Sequence, residues 1–315
     1  MCQFHLPREY KIKPSPWGPD DQIGRLNWIT DESRARVMEA INPIKSYDIS
    51  VDYFIGMPSW AGAGDPSFQI WMTHTPKGNV NDDLMPVSKE SKQLIGYSGD
   101  AFTMYTHCGT HMDTLNHFGY GDQIWNGYSE AEDLGSRHWN KCGPENFPII
   151  CARAVLLDVA GALGVDRLPE SYGIGQADLE KAIALQNVTI QQGDIVMIRT
   201  GQMTVWPDRE LYLNNSPGLN IEGAQFLVGL GAMIIGADNI ALEQTPSAEP
   251  DNYFPVHTYL FAEAGVTILE VLNLEELARD RVYEMAFIGR AMPIKGATGA
   301  PIQPVIFPLK HSLAA

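Results

Sequence analysis

The sequence predicts an α/β fold on a mixed sheet, and three features predict it. From residue 150 onward, apolar runs of strand length alternate with segments of helical period, the pattern of strand–helix–strand units. An alternating stretch, SYDISVDYF (46–54), stands far ahead of them and reads as an early strand. Two further apolar segments, around 284–292 and 302–308, close the chain. The early strand and the closing pair lie outside the repeat, so the sheet is expected to be mixed. No linker or composition shift divides the chain, so residues 1–315 are read as one domain with an extended N-terminal region over 1–100.

The elements follow in order. Residues 1–29 are proline-rich and irregular and hold most of WGPDDQIGRLNWIT. Thr30 then caps a helix, with Asp31 and Glu32 in the first turn, where carboxylates favour the positive end of the helix dipole. Residues 55–100 are rich in Gly, Pro and Ser, with Trp60, Phe68 and Trp71 scattered through them, and read as a long functional loop. ARAVLLDVAG (152–161) reads as a buried strand, QADLEKAIALQN (176–187) as an amphipathic helix, and DIVMIRTG (194–201) as a strand ended by Gly201. EGAQFLVGLG and AMIIGAD (232–238) read as helix then strand, and VHTYLFAEAG and VTILEVL (266–272) repeat that order. Asn273 is expected to cap a short helix, with Glu276 as its capping-box partner.

Composition narrows the function classes. The formal net charge of −16 opposes phosphate backbones and anionic bilayers, so neither nucleic acid nor a membrane surface is an expected partner. The start, MCQFHLPREYKIKP, lacks an apolar signal core, and no run is long enough to span a bilayer. Four cysteines without a CxxC pair read as reduced thiols, so the expected compartment is the cytoplasm.

The chemistry concentrates in THCGTHMDTLNHFGYGD (106–122), which holds three of the chain's 8 histidines. His107, His111, Asp113 and His117 stand at i, i+4, i+6 and i+10, and Gly109 and Thr110 favour a turn or strand end over a helix there. Two imidazoles and a carboxylate are a common ligand set for a divalent first-row metal, which makes a nucleophile of water near neutral pH. The histidine left over has the acid/base chemistry to move protons at the same pH. Cys108 offers a rival, a thiol nucleophile beside His111, but on a strand it faces away from the four candidates. A closed structural metal site is a further alternative, though such sites use cysteines more often.

HCGTHMDTLNH resembles the H-x-G-T-H-x-D-x-x-x-H signature of the metal-dependent hydrolases called the cyclase family, whose members include bacterial kynurenine formamidase and isatin hydrolase. His107, Gly109, Thr110, His111, Asp113 and His117 match every defining position. GPDDQIGRLNWIT, GDIVMIRTG (193–201), SPGLN (216–220), IGADNIALE (235–243), ILEVLNLEEL (268–277) and GATGAPIQPV (296–305) extend the likeness over most of the chain, with residues 55–100 the least matched. The resemblance implies a swivelling β/β/α fold, a mixed sheet with flanking helices. It implies that His107, His111 and Asp113 are metal ligands and His117 the catalytic acid/base. In members with two ions, Asp113 would bridge, and His257 and Glu270 would hold the second ion. It also implies a homodimer or higher assembly.

Read from the residues alone, Glu270 interrupts an apolar strand and needs a partner there, and His257 is the only histidine between 139 and 310. Trp60, Phe68, Trp71 and Phe118 are candidates to line a pocket for a planar ring, as are Tyr120, Trp125 and Trp206. The expected activity is hydrolysis of an amide C–N bond, in an aryl N-acyl amide or a cyclic amide. The expected cofactor is zinc or manganese, one ion or two. Lactone or ester hydrolysis is the nearest alternative, and a catalytically silent metal-containing binder of small molecules the next.

Overall fold

A computed structural model describes residues 12–60, 64–83 and 85–310. Its strands, in chain order, are β1 (Tyr47–Asp48), β2 (Gln69–His74), β3 (Gly99–Thr103), β4 (His111–Asp113), β5 (Ile150–Asp158), β6 (Gly173–Ile174), β7 (Ile195–Arg199), β8 (Gly218–Leu219), β9 (Ile234–Ala237), β10 (Thr267–Glu270), β11 (Glu284–Gly289), β12 (Gly299–Pro301) and β13 (Val305–Pro308). Nine form one sheet in the order β1-β13-β11-β5-β7-β9-β10-β4-β12. The four central strands β5, β7, β9 and β10 run parallel, and the outer pairings are antiparallel. The sheet is mixed because strands from both ends of the sequence add to a parallel centre.

The helices that matter are α1 (Asp31–Ala40), α2 (Gln176–Gln186), α3 (Ile221–Leu230) and α4 (Pro255–Thr258), the last continuing as a π-helical turn over Tyr259–Ala264. Side chains on the central strands alternate between two apolar layers, as the two-residue period of a strand requires. Val155, Leu157, Val196, Ile198, Ile235 and Ile268 face α2, α3 and α4. Ala154, Leu156, Ile195, Met197, Ile234 and Leu269 face the opposite layer with Leu26, Leu274 and Leu277. Thr30 caps α1 as expected, its hydroxyl accepting from the Ser33 N–H at 3.1 Å.

Several expectations change. The strand expected over 46–54 is only Tyr47–Asp48, because the segment leaves the sheet to brace Thr110: its Oγ1 accepts from the Val51 N–H at 3.0 Å, and its carbonyl accepts from the Tyr53 hydroxyl at 2.9 Å. The region 55–100 is not a plain loop. It holds the β2–β3 hairpin and two short helices, Pro76–Asn81 and Lys89–Leu94. The capping box at Asn273 does not form. Leu274 takes the cap position without a side-chain bond, and Asn273 only reaches the Glu275 N–H at 3.4 Å. No helix among the described residues is long and apolar enough to cross a membrane. Cys2 lies outside them.

Candidate active site

Local backbone chemistry assembles the site. β4 is three residues long, so His111 and Asp113 share one face while Met112 points into the opposite apolar layer. A turn precedes it, with Gly109 at φ +64; a Cβ there would lie 2.7 Å from the Tyr53 ring, so both the conformation and the space call for glycine. A second turn follows, closed by the His117 N–H to the Thr114 carbonyl at 3.0 Å. It folds His117 back until its ring stacks on His107, centroids 3.8 Å apart. Neither turn is helical, so His107 and His117 approach the strand residues from its two ends.

Sheet register supplies the distant partner. β10 pairs antiparallel with β4, placing Glu270 directly opposite His111 and Ile268 opposite Asp113. Glu270 therefore faces the site, and His257 descends onto it from α4 above the same face. Residues about 150 positions apart thus meet because the sheet order inserts β4 beside β10.

Asp113 is the centre. Its Oδ1 lies 2.6 Å from His107 Nδ1 and 3.2 Å from His111 Nε2. Its Oδ2 lies 3.9 Å from His117 Nε2 and 3.8 Å from His257 Nε2. Glu270 stands 3.2 Å from His111 Nε2 and 3.3 Å from His257 Nε2. Two donor triplets result, His107–Asp113–His117 and His111–Asp113–Glu270, with Asp113 in both. The second turn brings His117 within reach of Asp113 beside His107, and the register brings Glu270 to His111.

The outer nitrogens are held by residues that sequence reasoning did not single out. Glu243, buried at the end of IGADNIALE, meets His257 Nδ1 at 2.5 Å and accepts from the His257 and Val256 N–H groups at 2.9 and 3.1 Å. Its carboxylate can only accept, which keeps a proton on Nδ1 and turns Nε2 toward Asp113 and Glu270. The Gly109 carbonyl does the same for His111 at 2.8 Å. The Thr298 hydroxyl meets His107 Nε2 at 2.9 Å, and Gly299 leaves room for that ring: a Cβ there would stand 2.6 Å from it. The signals were present, a carboxylate ending a buried apolar run and a Gly-flanked threonine, but neither is specific without the fold.

The donor set fits a divalent cation. His111 Nε2, Asp113 Oδ2 and Glu270 Oε1 are buried, converge, and have no hydrogen-bond partner. Each such orphan costs about 1–3 kcal/mol, and imidazole nitrogen with carboxylate oxygen is the chemistry a first-row cation satisfies. The electrostatics agree. Burial alone raises the Asp113 carboxyl, but the His107 imidazole, with the hydrogen bonds from His107 and His111, outweighs it and holds it well below the usual carboxylate range. Burial disfavours charge on His111 and His257, yet the carboxylates beside them push both up to about 10. Burial and the neighbouring imidazoles hold His117 well below the usual histidine range, which leaves it a neutral base at pH 7.

His107, His117, His257 and Glu270 line a cavity of about 300 Å³, while His111 and Asp113 stay fully buried. Trp60 and Phe118 line it, together with Tyr105, Tyr253 and Phe254. Phe68 and Trp71 do not line it. Phe68 is buried against Tyr53 and Phe102, where an apolar ring gains most from leaving water, and Trp71 stands on the outer hairpin, half exposed. Trp125 is buried away from the cavity with its indole N–H on Asp21, and Trp206 packs on Tyr212. Cys108 faces away from the cluster, its Sγ 3.5 Å from Met57 Sδ, with burial raising its thiol, which removes the nucleophile's usual environment.

Comparison with known proteins identifies the family. The chain is 26% identical over 258 residues to kynurenine formamidase of Geobacillus thermodenitrificans, covering 81% of this chain and 94% of that protein. It is 24% identical over 256 residues to isatin hydrolase of Roseibium aggregatum, covering 77% and 86%. A crystal structure described as a novel cyclase superposes with a TM-score of 0.81 at 32% identity, covering 92% of this chain and 96% of that one. Isatin hydrolase A from Labrenzia aggregata, bound to benzyl benzoate, shares the fold with a TM-score of 0.62 at 17% identity over 84% of this chain and 94% of that one. Residues 47–244 match the Cyclase family model, and the chain belongs to that family.

Proposed function

We propose that this protein is a metal-dependent hydrolase of an amide C–N bond, acting on an aryl N-acyl amide or a cyclic amide. One observation carries the reading: His111, Asp113 and Glu270 bring together buried donor atoms that make no hydrogen bond, and Glu270 opens onto an aromatic-lined cavity. The similarity to kynurenine formamidase and isatin hydrolase supports it. His107, His111, Asp113, His257 and Glu270 would hold one or two ions of zinc or manganese. Such a cation supplies Lewis acidity, polarising a carbonyl and lowering the pKa of water toward ~7.

The chain's own residues do the rest. The rings of Trp60 and Phe118 seat the planar part of the substrate. His117 is the member of the cluster most open to the cavity, 17% exposed against 0–4% for His107, His111 and His257. Neutral at pH 7, it takes a proton from the attacking water at Nε2 and returns it to the departing nitrogen, so that amide and water become acid and amine. Glu243 and Thr298 hold the imidazoles of His257 and His107 in orientation. Ile70, Trp71, Met72 and Phe102 stand exposed on the β2–β3 hairpin and support a homodimer, which sedimentation of the Trp71→Lys variant would test.

The test is a panel of aryl formamides, cyclic amides and lactones, assayed with zinc and with manganese. Turnover of an amide, lost with chelator and regained with metal, is expected. Turnover confined to lactones transfers the site to ester chemistry, and unchanged turnover after verified metal removal refutes the reading.

A further inference from the structure

Asp65 lines the same cavity as the cluster but belongs to neither donor triplet. It is half-buried and has no hydrogen-bond or ion-pair partner among the described residues. The rings of Trp60, Tyr105, Phe118, Tyr253 and Phe254 share the lining with it, and among the described residues no lysine or arginine lines the cavity. Tyr105 connects Asp65 to the cluster. Its ring lies 4.8 Å from that of His107, and burial followed by the charges of Asp65, Asp113 and Glu270 holds its phenol above the usual range.

This arrangement discriminates by charge. A ligand filling the cavity strips water from the Asp65 carboxylate. A neutral ligand returns nothing for that loss, and an anionic one adds repulsion. A cationic group restores the interaction at Asp65 and gains further from aromatic faces, which attract cations through the ring quadrupole. The −16 chain favours arrival of cations as well.

We propose that the cavity selects an aromatic amide bearing an ammonium or substituted ammonium group, and that Asp65 and the rings around it are the selector. That this amide is hydrolysed rests on the hydrolase reading; the binding preference does not.

The probes are benzyltrimethylammonium and its uncharged carbon isostere neopentylbenzene, titrated into the metal-loaded protein by displacement of a fluorescent aromatic ligand. Neither probe can ligate a metal or be hydrolysed. The cation is expected to bind about tenfold more tightly than the isostere. Asp65→Asn should reduce that ratio to about two, and Asp65→Glu, which keeps the charge, should preserve most of it. Equal affinities in the wild-type protein, or a ratio unchanged in Asp65→Asn, overturn the proposal. If Asp65→Asn does not fold, the ratio measured with Asp65→Glu against Asp65→Ser decides instead. Turnover is scored separately on formanilides carrying a 4-aminomethyl or a 4-hydroxymethyl group. No hydrolysis of either defeats the hydrolase reading and leaves the binding result standing. Hydrolysis of both without a charge preference defeats only the selector.

Discussion

Replacing Gly299 by alanine should loosen metal without unfolding the protein. Gly299 sits on the edge strand β12, opposite Asp113, and its φ lies outside the left-handed region, so the backbone accepts alanine. The obstacle is His107: the new methyl would stand 2.6, 2.9 and 3.0 Å from three ring atoms. Ordinary carbon contacts begin near ~3.5 Å, so the ring must retreat by about 1 Å. It is pinned by Asp113 at 2.6 Å, by Thr298 at 2.9 Å and by stacking on His117. Weakening a charge-assisted bond worth about 1.5–3 kcal/mol, with partial relaxation, gives a loss of roughly ten- to hundredfold in metal affinity. Competition against a chromophoric chelator measures it, with far-ultraviolet dichroism as the check on folding. In a His107→Ala background the ring is gone, so Gly299→Ala should be nearly neutral there, and the double-mutant cycle should return most of the effect as coupling. Wild-type affinity in the single variant, or an equal loss in both backgrounds, would refute the reasoning.

His117→Ala should retain metal by elemental analysis and lose turnover by about two to four orders of magnitude; near-wild-type activity removes it as the acid/base. Asp113→Ala should lose metal on dialysis, since both donor triplets share this carboxylate, and stoichiometric metal would contradict that role. Glu243→Gln replaces an acceptor-only group that meets His257 and Val256 at 2.5–3.1 Å, so a ten- to hundredfold fall in metal affinity is expected, and titration with zinc checks it. Asp238 is buried, and burial pushes its carboxyl up to about 6 against the hydrogen bonds from Thr200. A carboxyl raised above its unfolded value near ~3.9 favours the fold most at low pH, and that contribution is lost as pH rises through about 6. Urea unfolding of wild type relative to Asp238→Asn should therefore show wild type losing up to about 3 kcal/mol between pH 4 and 7.5; a flat difference would show that the group does not titrate there.

The sequence by itself determined the parts that local physics writes. Alternating helix and strand periods from residue 150 fixed the α/β class, because burial on a sheet and on a helix face imposes distinct spacings. The cluster from His107 to His117 was legible because functional side chains at short spacing need little tertiary help to converge. The cap at Thr30 was legible for the same reason. Register and sheet order were beyond it. A three-residue strand has no periodicity to read, so nothing local showed that β4 lies beside β10, that Glu270 stands opposite His111, or that Glu243 would hold His257. The aromatics divided in the same way. Trp60 and Phe118 reach the cavity while Phe68 and Trp71 do not, since a ring's composition says that it will be buried or used but not against what. Asp65 carried no signal at all until the fold set it in the same cavity lining as those rings, without a hydrogen-bond or ion-pair partner among the described residues.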